Sequence, residues 1–168
     1  MALSAPPVDE APRAIETRYK GYRFRSRLEA RWAVFFDALS VTWEYEKEGY
    51  DLGDSGWYLP DFWLPGLNMW VEVKPNAEAW TREATDKAAE LCRRTELHVL
   101  AVAGRPDENM AELITPDSTR TYGVRSALVE WSECEVCKRV TLRPAGNGAV
   151  ARAMDQAKAA RFEFGEHG

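Results

Sequence analysis

Cysteine is scarce in this chain, with three in 168 residues, and histidine scarcer still, with two. The cysteines (Cys92, Cys134, Cys137) are odd in number and unevenly spaced, which argues against a disulfide framework and fits a reducing, cytoplasmic setting. Nowhere is there a run of about 18 apolar residues, so no transmembrane helix and no membrane partner is expected. The opening MALSAPPVDEAPR carries acids and no apolar core, so no secretory signal is expected either. There is no internal repeat and no low-complexity tract. An excess of positive charge is also missing: the net charge is −5. Whole-molecule charge therefore does not predict a nucleic-acid partner.

What the chain does have is apolar weight. Its 45% hydrophobic content and seven tryptophans can bury the core of one domain, with or without a small appendage. Residues 1–18, with three prolines, read as a flexible arm. Ser26 to Leu39 reads as a helix, with Phe24, Leu28, Trp32, Phe35, Phe36 and Leu39 on one stripe. At about 100° per residue, Glu29 falls on the edge of that stripe, placed to reach from a packed helix toward a cleft. Val41 to Glu46 alternates and is β-prone, so a strand is expected. Trp57 to Leu64 reads as a second strand, irregular at Pro60, and Leu67 to Lys74 as a third, stopped by Pro75. Asn76 can cap a helix from Ala77 to about Arg94, with Trp80, Ala84, Ala88 and Leu91 inside. Leu97 to Ala103 is a short apolar run typical of a buried strand. The three strands are close enough for a meander, and the fourth, arriving by a helical crossover, should pair in parallel. The predicted fold is α/β: helix, three-strand meander, helix, parallel strand. The boundaries expected are a core over 19–104 and a C-terminal extension over 105–168. In that extension, Tyr122 to Trp131 reads as a strand or short helix, and alanine-rich Ala149 to Phe162 as a terminal helix.

Charge is distributed unevenly. From Arg13 to Arg31 there are seven Lys/Arg and two acids, interleaved with Tyr19, Tyr22 and Phe24. From Glu44 to Asp54 the sign reverses, with five acids against Lys47. A basic arm beside an acidic pocket is what a metal-dependent enzyme acting on a polyanion needs; a solvated surface of mixed charge is the plain alternative. The candidate phosphate contacts are Arg18, Lys20, Arg23, Arg25, Arg27 and Arg31, with Lys87 on the second helix, where a solvated helix face is again the plain reading.

The most unusual stretch is Trp57 to Pro75, WYLPDFWLPGLNMWVEVKP. Trp70, Glu72 and Lys74 share one face of its last strand, and Met69, Val71 and Val73 the other. A buried strand carries such charges only when they are paired or bind a metal. Asp61 and Glu72, on neighbouring strand ends, can share one Mg²⁺ or Mn²⁺, with the Val73 backbone carbonyl as a further ligand. Lys74 can orient the attacking water or stabilise the charge of the transition state. Glu29 can hold a water ligand or a second metal. Pro-Asp, ten residues, then Glu-x-Lys arises by chance in on the order of one chain in a hundred. Each residue also has a structural reading: Glu29 as a surface ion pair with Arg25, Glu72 and Lys74 as an exposed edge-strand pair, Asp61 as a turn residue after Pro60.

These residues resemble the PD-(D/E)xK nuclease superfamily, whose restriction-endonuclease-like core has the same element order. FRSRLEARWAVFFDALSVTWEYE followed by YLPDFWLPGLNMWVEVK is similar to phage-type members, including the small Holliday-junction resolvases of the endonuclease I type, and to transposase-associated nucleases that cut DNA ends. The resemblance covers Tyr22 to about Ala103. It implies an active site of Glu29, Asp61, Glu72 and Lys74 with Mg²⁺ or Mn²⁺, in a bacterial or phage-infected cell. Resolvase-like relatives also use an acid from the first strand, for which Glu44 or Glu46 is the matching position, and act as domain-swapped homodimers. The expectation is a metal-dependent DNA endonuclease that is structure-selective or weakly sequence-specific. The alternatives are a dimeric Holliday-junction resolvase, or a DNA-binding or assembly protein on a vestigial nuclease core. Cys134-x-x-Cys137 is half of a zinc site; with no second such pair, Zn²⁺ would need Cys92, His98, His167 or a second chain, and a reduced thiol pair is the alternative.

Overall fold

The computed structural model describes residues 14–107, 110–116, 124–133, 140–144 and 156–162. It opens with a hairpin that the sequence reading did not contain. Strand β1 (Thr17–Tyr19) pairs antiparallel with β2 (Tyr22–Phe24). Lys20 and Gly21 between them both have positive φ, 50° and 82°, as a two-residue hairpin turn requires. Thr17 and Arg18 thus stand in a strand, within the stretch expected to be a flexible arm.

Helix α1 (Arg27–Ala38) follows, capped by Ser26. Trp32, Phe35 and Phe36 are fully buried from the helix and Phe24 from β2. The expected stripe is therefore real, though Phe24 joins it from a strand. The meander is made of β3 (Glu44–Tyr45), β6 (Phe62–Leu64) and β7 (Met69–Lys74), all antiparallel. Between β3 and β6 the chain makes a second small hairpin, β4 (Tyr50–Asp51) with β5 (Trp57–Tyr58). The strand expected over Trp57 to Leu64 is thus two short strands, interrupted at Leu59–Asp61, because Pro60 has no amide hydrogen to give a ladder. The strand expected from Val41 shrinks to two residues.

The second helix also starts later than expected. Asn76 accepts from the Ala79 amide (3.0 Å), which closes only a 3-10 turn, Ala77–Ala79. Thr81 then caps α2 (Arg82–Thr95) by accepting from the Ala84 amide at 3.2 Å. Trp80 is left outside the helix, half-buried against the core. Beyond α2, β8 (His98–Ala103) pairs in parallel with β7, as the crossover predicts.

The same sheet continues past residue 104. Strands β9 (Met110–Pro116), β10 (Val124–Glu133) and β11 (Val140–Pro144) add antiparallel, giving a seven-stranded mixed sheet of order β11-β10-β9-β8-β7-β6-β3 among the described residues. Tyr122 to Trp131 is therefore largely strand. Of the expected terminal helix, the described residues give a helical turn over 156–159. Ala157 there is buried against the α1 side of the core. The class is mixed α/β, with α1 on one face of the sheet and α2 on the other. Met69, Val71 and Val73 pack on the α1 side and Trp70 on the α2 side, the alternation expected of β7. Among the described residues no helix is long and apolar enough to cross a membrane.

Candidate active site

The register of the sheet brings the acids together. Phe62 pairs with Val71, so Asp61 stands opposite Glu72. Tyr45 pairs with Phe62, so Glu46 stands opposite Asp61 on the other side. The Glu46 amide donates to the Asp61 carbonyl at 2.9 Å. On the β7 side the ladder is completed by a side chain: Asp61 Oδ2 accepts the Val73 amide at 2.7 Å. The irregularity at Pro60 is what turns Asp61's carboxylate into this position.

Among the described residues the buried charged side chains are Glu29 (8% exposed), Asp61 (4%) and Glu72 (5%). All three line one cleft of ≈ 710 Å³, together with Arg25, Lys74 and Tyr58. Burial sets aside the readings of Glu29 as a surface residue and of Glu72 with Lys74 as an exposed pair.

Glu29 is held by its neighbourhood in detail. Ser26 Oγ accepts from the Glu29 amide (3.1 Å) and donates to Glu29 Oε1 (2.7 Å). This is a variant of the capping box: the returning carboxylate takes the Ser26 hydroxyl and, on Oε2, the Arg25 amide (3.2 Å) and the Tyr45 hydroxyl (2.5 Å). The Arg25 guanidinium turns elsewhere, to Asp61 (3.0 Å) and Glu46 (2.5 Å). Arg25 thus ties Glu29 to Asp61, by its backbone on one side and its side chain on the other. Glu46, whose φ of 45° is in the left-handed region, directly follows β3 and is the acid there that shares Arg25 with Asp61. Glu44 pairs instead with Lys47 at 3.1 Å.

Lys74 Nζ lies 2.5 Å from Glu72 Oε1 and 5.9 Å from the ring centre of Trp80. Oε2 of Glu72 and the hydroxyl of Tyr58 are buried with no hydrogen bond of normal geometry. Burial raises the Asp61 pKa well above its ordinary value, and the charges of Glu72 and Glu29 raise it further. The Val73 amide and Arg25 only partly oppose this. Burial likewise raises Tyr58, reinforced by Glu72 and Asp61. Around the three buried acids the cleft is therefore rich in negative charge beyond what Arg25 and Lys74 settle.

Mg²⁺ needs only one or two carboxylates, completing its shell with water and phosphate oxygens. Asp61 and Glu72 supply that set, and Oε2 of Glu72 is an unsatisfied acceptor able to ligate a cation. No group of three or more His, Cys, Asp or Glu is drawn together as a metal cage among the described residues, so a cation here would depend on water and substrate oxygens. Val73 lines the same cleft, and its amide is the group that fixes Asp61.

The expected phosphate contacts divide. Lys87 lines the cleft and pairs with Glu83 at 2.8 Å. Arg18 is exposed on β1, Lys20 pairs with Asp37 at 3.0 Å, and Arg23 pairs with Glu16. Arg27 and Arg31 lie one helical turn apart on α1. Arg31 loses some basicity to burial and to the charges of Arg105 and Arg27. Of the zinc candidates, Cys134 and Cys137 lie outside the described residues, as does His167. Cys92 is committed to the core: its thiol donates to the Ile114 carbonyl at 3.6 Å, and burial pushes its pKa up to about 11. Sequence reasoning missed Arg25 as counter-ion, Tyr45 as the brace of Glu29, and Tyr58. The S-x-x-E spacing of Ser26 and Glu29 was the available signal for the capping box. Comparison with family models, with curated proteins and with solved structures returns no match in any of the three.

Proposed function

We propose that this chain is a metal-dependent DNA endonuclease built on a restriction-endonuclease-like core. The observation that carries the reading is the coincidence of two independent selections. The two acids that the PD-(D/E)xK pattern picks from the sequence, Asp61 and Glu72, and the helical Glu29 that the resemblance adds, are the three charged side chains buried among the described residues, and they line one cleft with Lys74. Buried charge is costly unless something compensates it, and Arg25 and Lys74 compensate only part.

Asp61 and Glu72 would hold Mg²⁺ or Mn²⁺, which stabilises charge on a phosphodiester and makes water a better nucleophile. The chain's own residues do the rest. Lys74 places an ammonium where charge grows on the phosphoryl oxygens. Glu29, locked by Ser26 and Tyr45, presents a fixed carboxylate to the water side of the cleft. In-line attack by water forms one P–O bond as the opposite one breaks; the attacking water gives up a proton to solvent and the leaving oxygen takes one from it. Arg18, Lys20, Arg23, Arg27 and Arg31 hold backbone phosphates, which position DNA without reading its sequence.

The test is cleavage of linear duplex, four-way junction and single-stranded DNA with Mg²⁺ or Mn²⁺. Asp61→Asn and Glu72→Gln are each expected to lower the rate by about 10³-fold or more, the scale of losing an electrostatic stabiliser. Full activity in both variants would overturn the reading. Preference for the junction over linear duplex would narrow it to a resolvase.

A further inference from the structure

Trp57 is the most exposed of the large apolar side chains described, at 67%, and it lines the same cleft as the three acids. A tryptophan left in solvent is normally a loss of apolar burial, yet this one is placed with care. It sits on β5, in register with Asp51 of β4. Its neighbour Tyr58 alternates inward to the acids. The turn before it closes through Gly56, whose φ of 76° and ψ of −166° only glycine adopts readily. The indole itself lies on the backbone of Gly49: a Cβ there would stand 2.2 Å from Cζ2, 2.7 Å from Cε2 and 3.0 Å from Nε1. Two glycines therefore hold the ring, one by conformation and one by vacancy. The hairpin is pinned to α2 at the position opposite Trp57, where Arg94 donates to the Asp51 carbonyl at 3.1 Å. The result is a rigid, exposed aromatic surface at the mouth of an acidic cleft that also carries cations.

We infer that Trp57 is a stacking platform for an unpaired nucleobase next to the phosphate held in the cleft, so that the substrate is a single strand or a duplex with a splayed end. Base–aromatic stacking tolerates any base but needs its face free, which a base inside a duplex does not offer. The identification of the ligand as a nucleic acid rests on the nuclease reading; the platform itself rests on the hairpin.

The test uses the full-length protein in EDTA, so that no strand is cut, with fluorescence anisotropy on a labelled single-stranded oligonucleotide and on the matching duplex. Trp57→Ala is expected to weaken single-strand binding about tenfold, the effect of losing one stacked base, and to change duplex binding by less than about twofold. Trp57→Phe should keep most of the affinity. Gly49→Ala, which keeps the indole in the chain but pushes it off its seat, should lose part of it. A circular-dichroism melt of each variant separates loss of fold from loss of stacking. Equal losses on both substrates, or none on either, overturn the proposal. A dimer that becomes a monomer on Trp57→Ala, read by sedimentation, also overturns it, since Trp57 would then be an interface residue. Absence of cleavage by the wild type in Mg²⁺ would sink the nuclease reading and leave this binding difference standing or falling by itself.

Discussion

The two faces of the central sheet are built to different ends. On the α1 face, aromatic rings close on one another: Phe24 on Tyr45 at 4.4 Å between centres, Phe36 on Phe62 at 5.3 Å, Trp32 on Phe35 at 5.4 Å. The β1–β2 hairpin and Ala157 cover what remains. On the α2 face the apolar cluster is smaller, centred on Trp70, Leu91 and Val99. It gives way at one end to the cleft that holds Asp61 and Glu72. One face is spent on stability and the other carries a destabilised polar site.

Breaking the α1 face should have the largest effect. Phe36→Ala removes a fully buried ring from the middle of the aromatic cluster and is expected to cost about 3–5 kcal/mol. Against a typical domain stability of about 5–15 kcal/mol, that brings the protein close to unfolding. Urea denaturation followed by tryptophan fluorescence measures it. A cost below about 1 kcal/mol would mean that the cluster is not the main core.

The site should respond in the opposite direction. The Asp61 pKa is raised in the folded state, chiefly by burial and then by Glu72 and Glu29. At this group the native state thus binds more protons than the unfolded state between the unfolded value of about 3.9 and the raised folded one. The contribution of Asp61 to metal-free stability is therefore greatest below that unfolded value and falls as pH rises toward the raised folded pKa. Each unit of the raise is about 1.4 kcal/mol. Asp61→Asn should flatten this fall and make the metal-free protein more stable than wild type at neutral pH. Mg²⁺ at about one hundred times its Kd should add about 2.7 kcal/mol to wild type and little to Asp61→Asn. Thermal melts across pH, with EDTA or Mg²⁺, read both effects. Equal gains from Mg²⁺ in the two proteins would place the cation elsewhere.

How much of this was legible in the sequence follows the same division. The stripe of Trp32, Phe35 and Phe36, the alternation of Met69 to Lys74 and the parallel β7–β8 pair all express a period, and periods are visible in one dimension. The acids were legible because charge in an apolar strand is conspicuous. The rest depended on long-range closure. Strands β1, β4 and β5 are two or three residues long, too short to show a period. The start of α2 depended on whether Asn76 or Thr81 closed a true helical turn, and both are good caps. Arg25's role could not be read either: seven cations in its neighbourhood of sequence looked alike, and only the fold brings one of them within reach of both Asp61 and Glu46.

The smallest predicted effect separates the two helices. Ser26 and Thr81 are equivalent caps by their backbone bonds, accepting from the Glu29 amide at 3.1 Å and the Ala84 amide at 3.2 Å. Ser26→Ala and Thr81→Ala should each cost about 1 kcal/mol of stability. Ser26 also donates to the Glu29 carboxylate, so its loss frees one oxygen of a buried acid, whereas Thr81 holds no acid of the site. Cleavage by Ser26→Ala should therefore fall by about tenfold more than cleavage by Thr81→Ala at matched stability, the scale of about 1.4 kcal/mol for a hydrogen bond to a charged group. Equal rates in the two variants would show that Glu29 is a structural cap, and would reduce the site to Asp61, Glu72 and Lys74. A difference would show that one serine both starts the helix that closes the stable face and aims the carboxylate that completes the other.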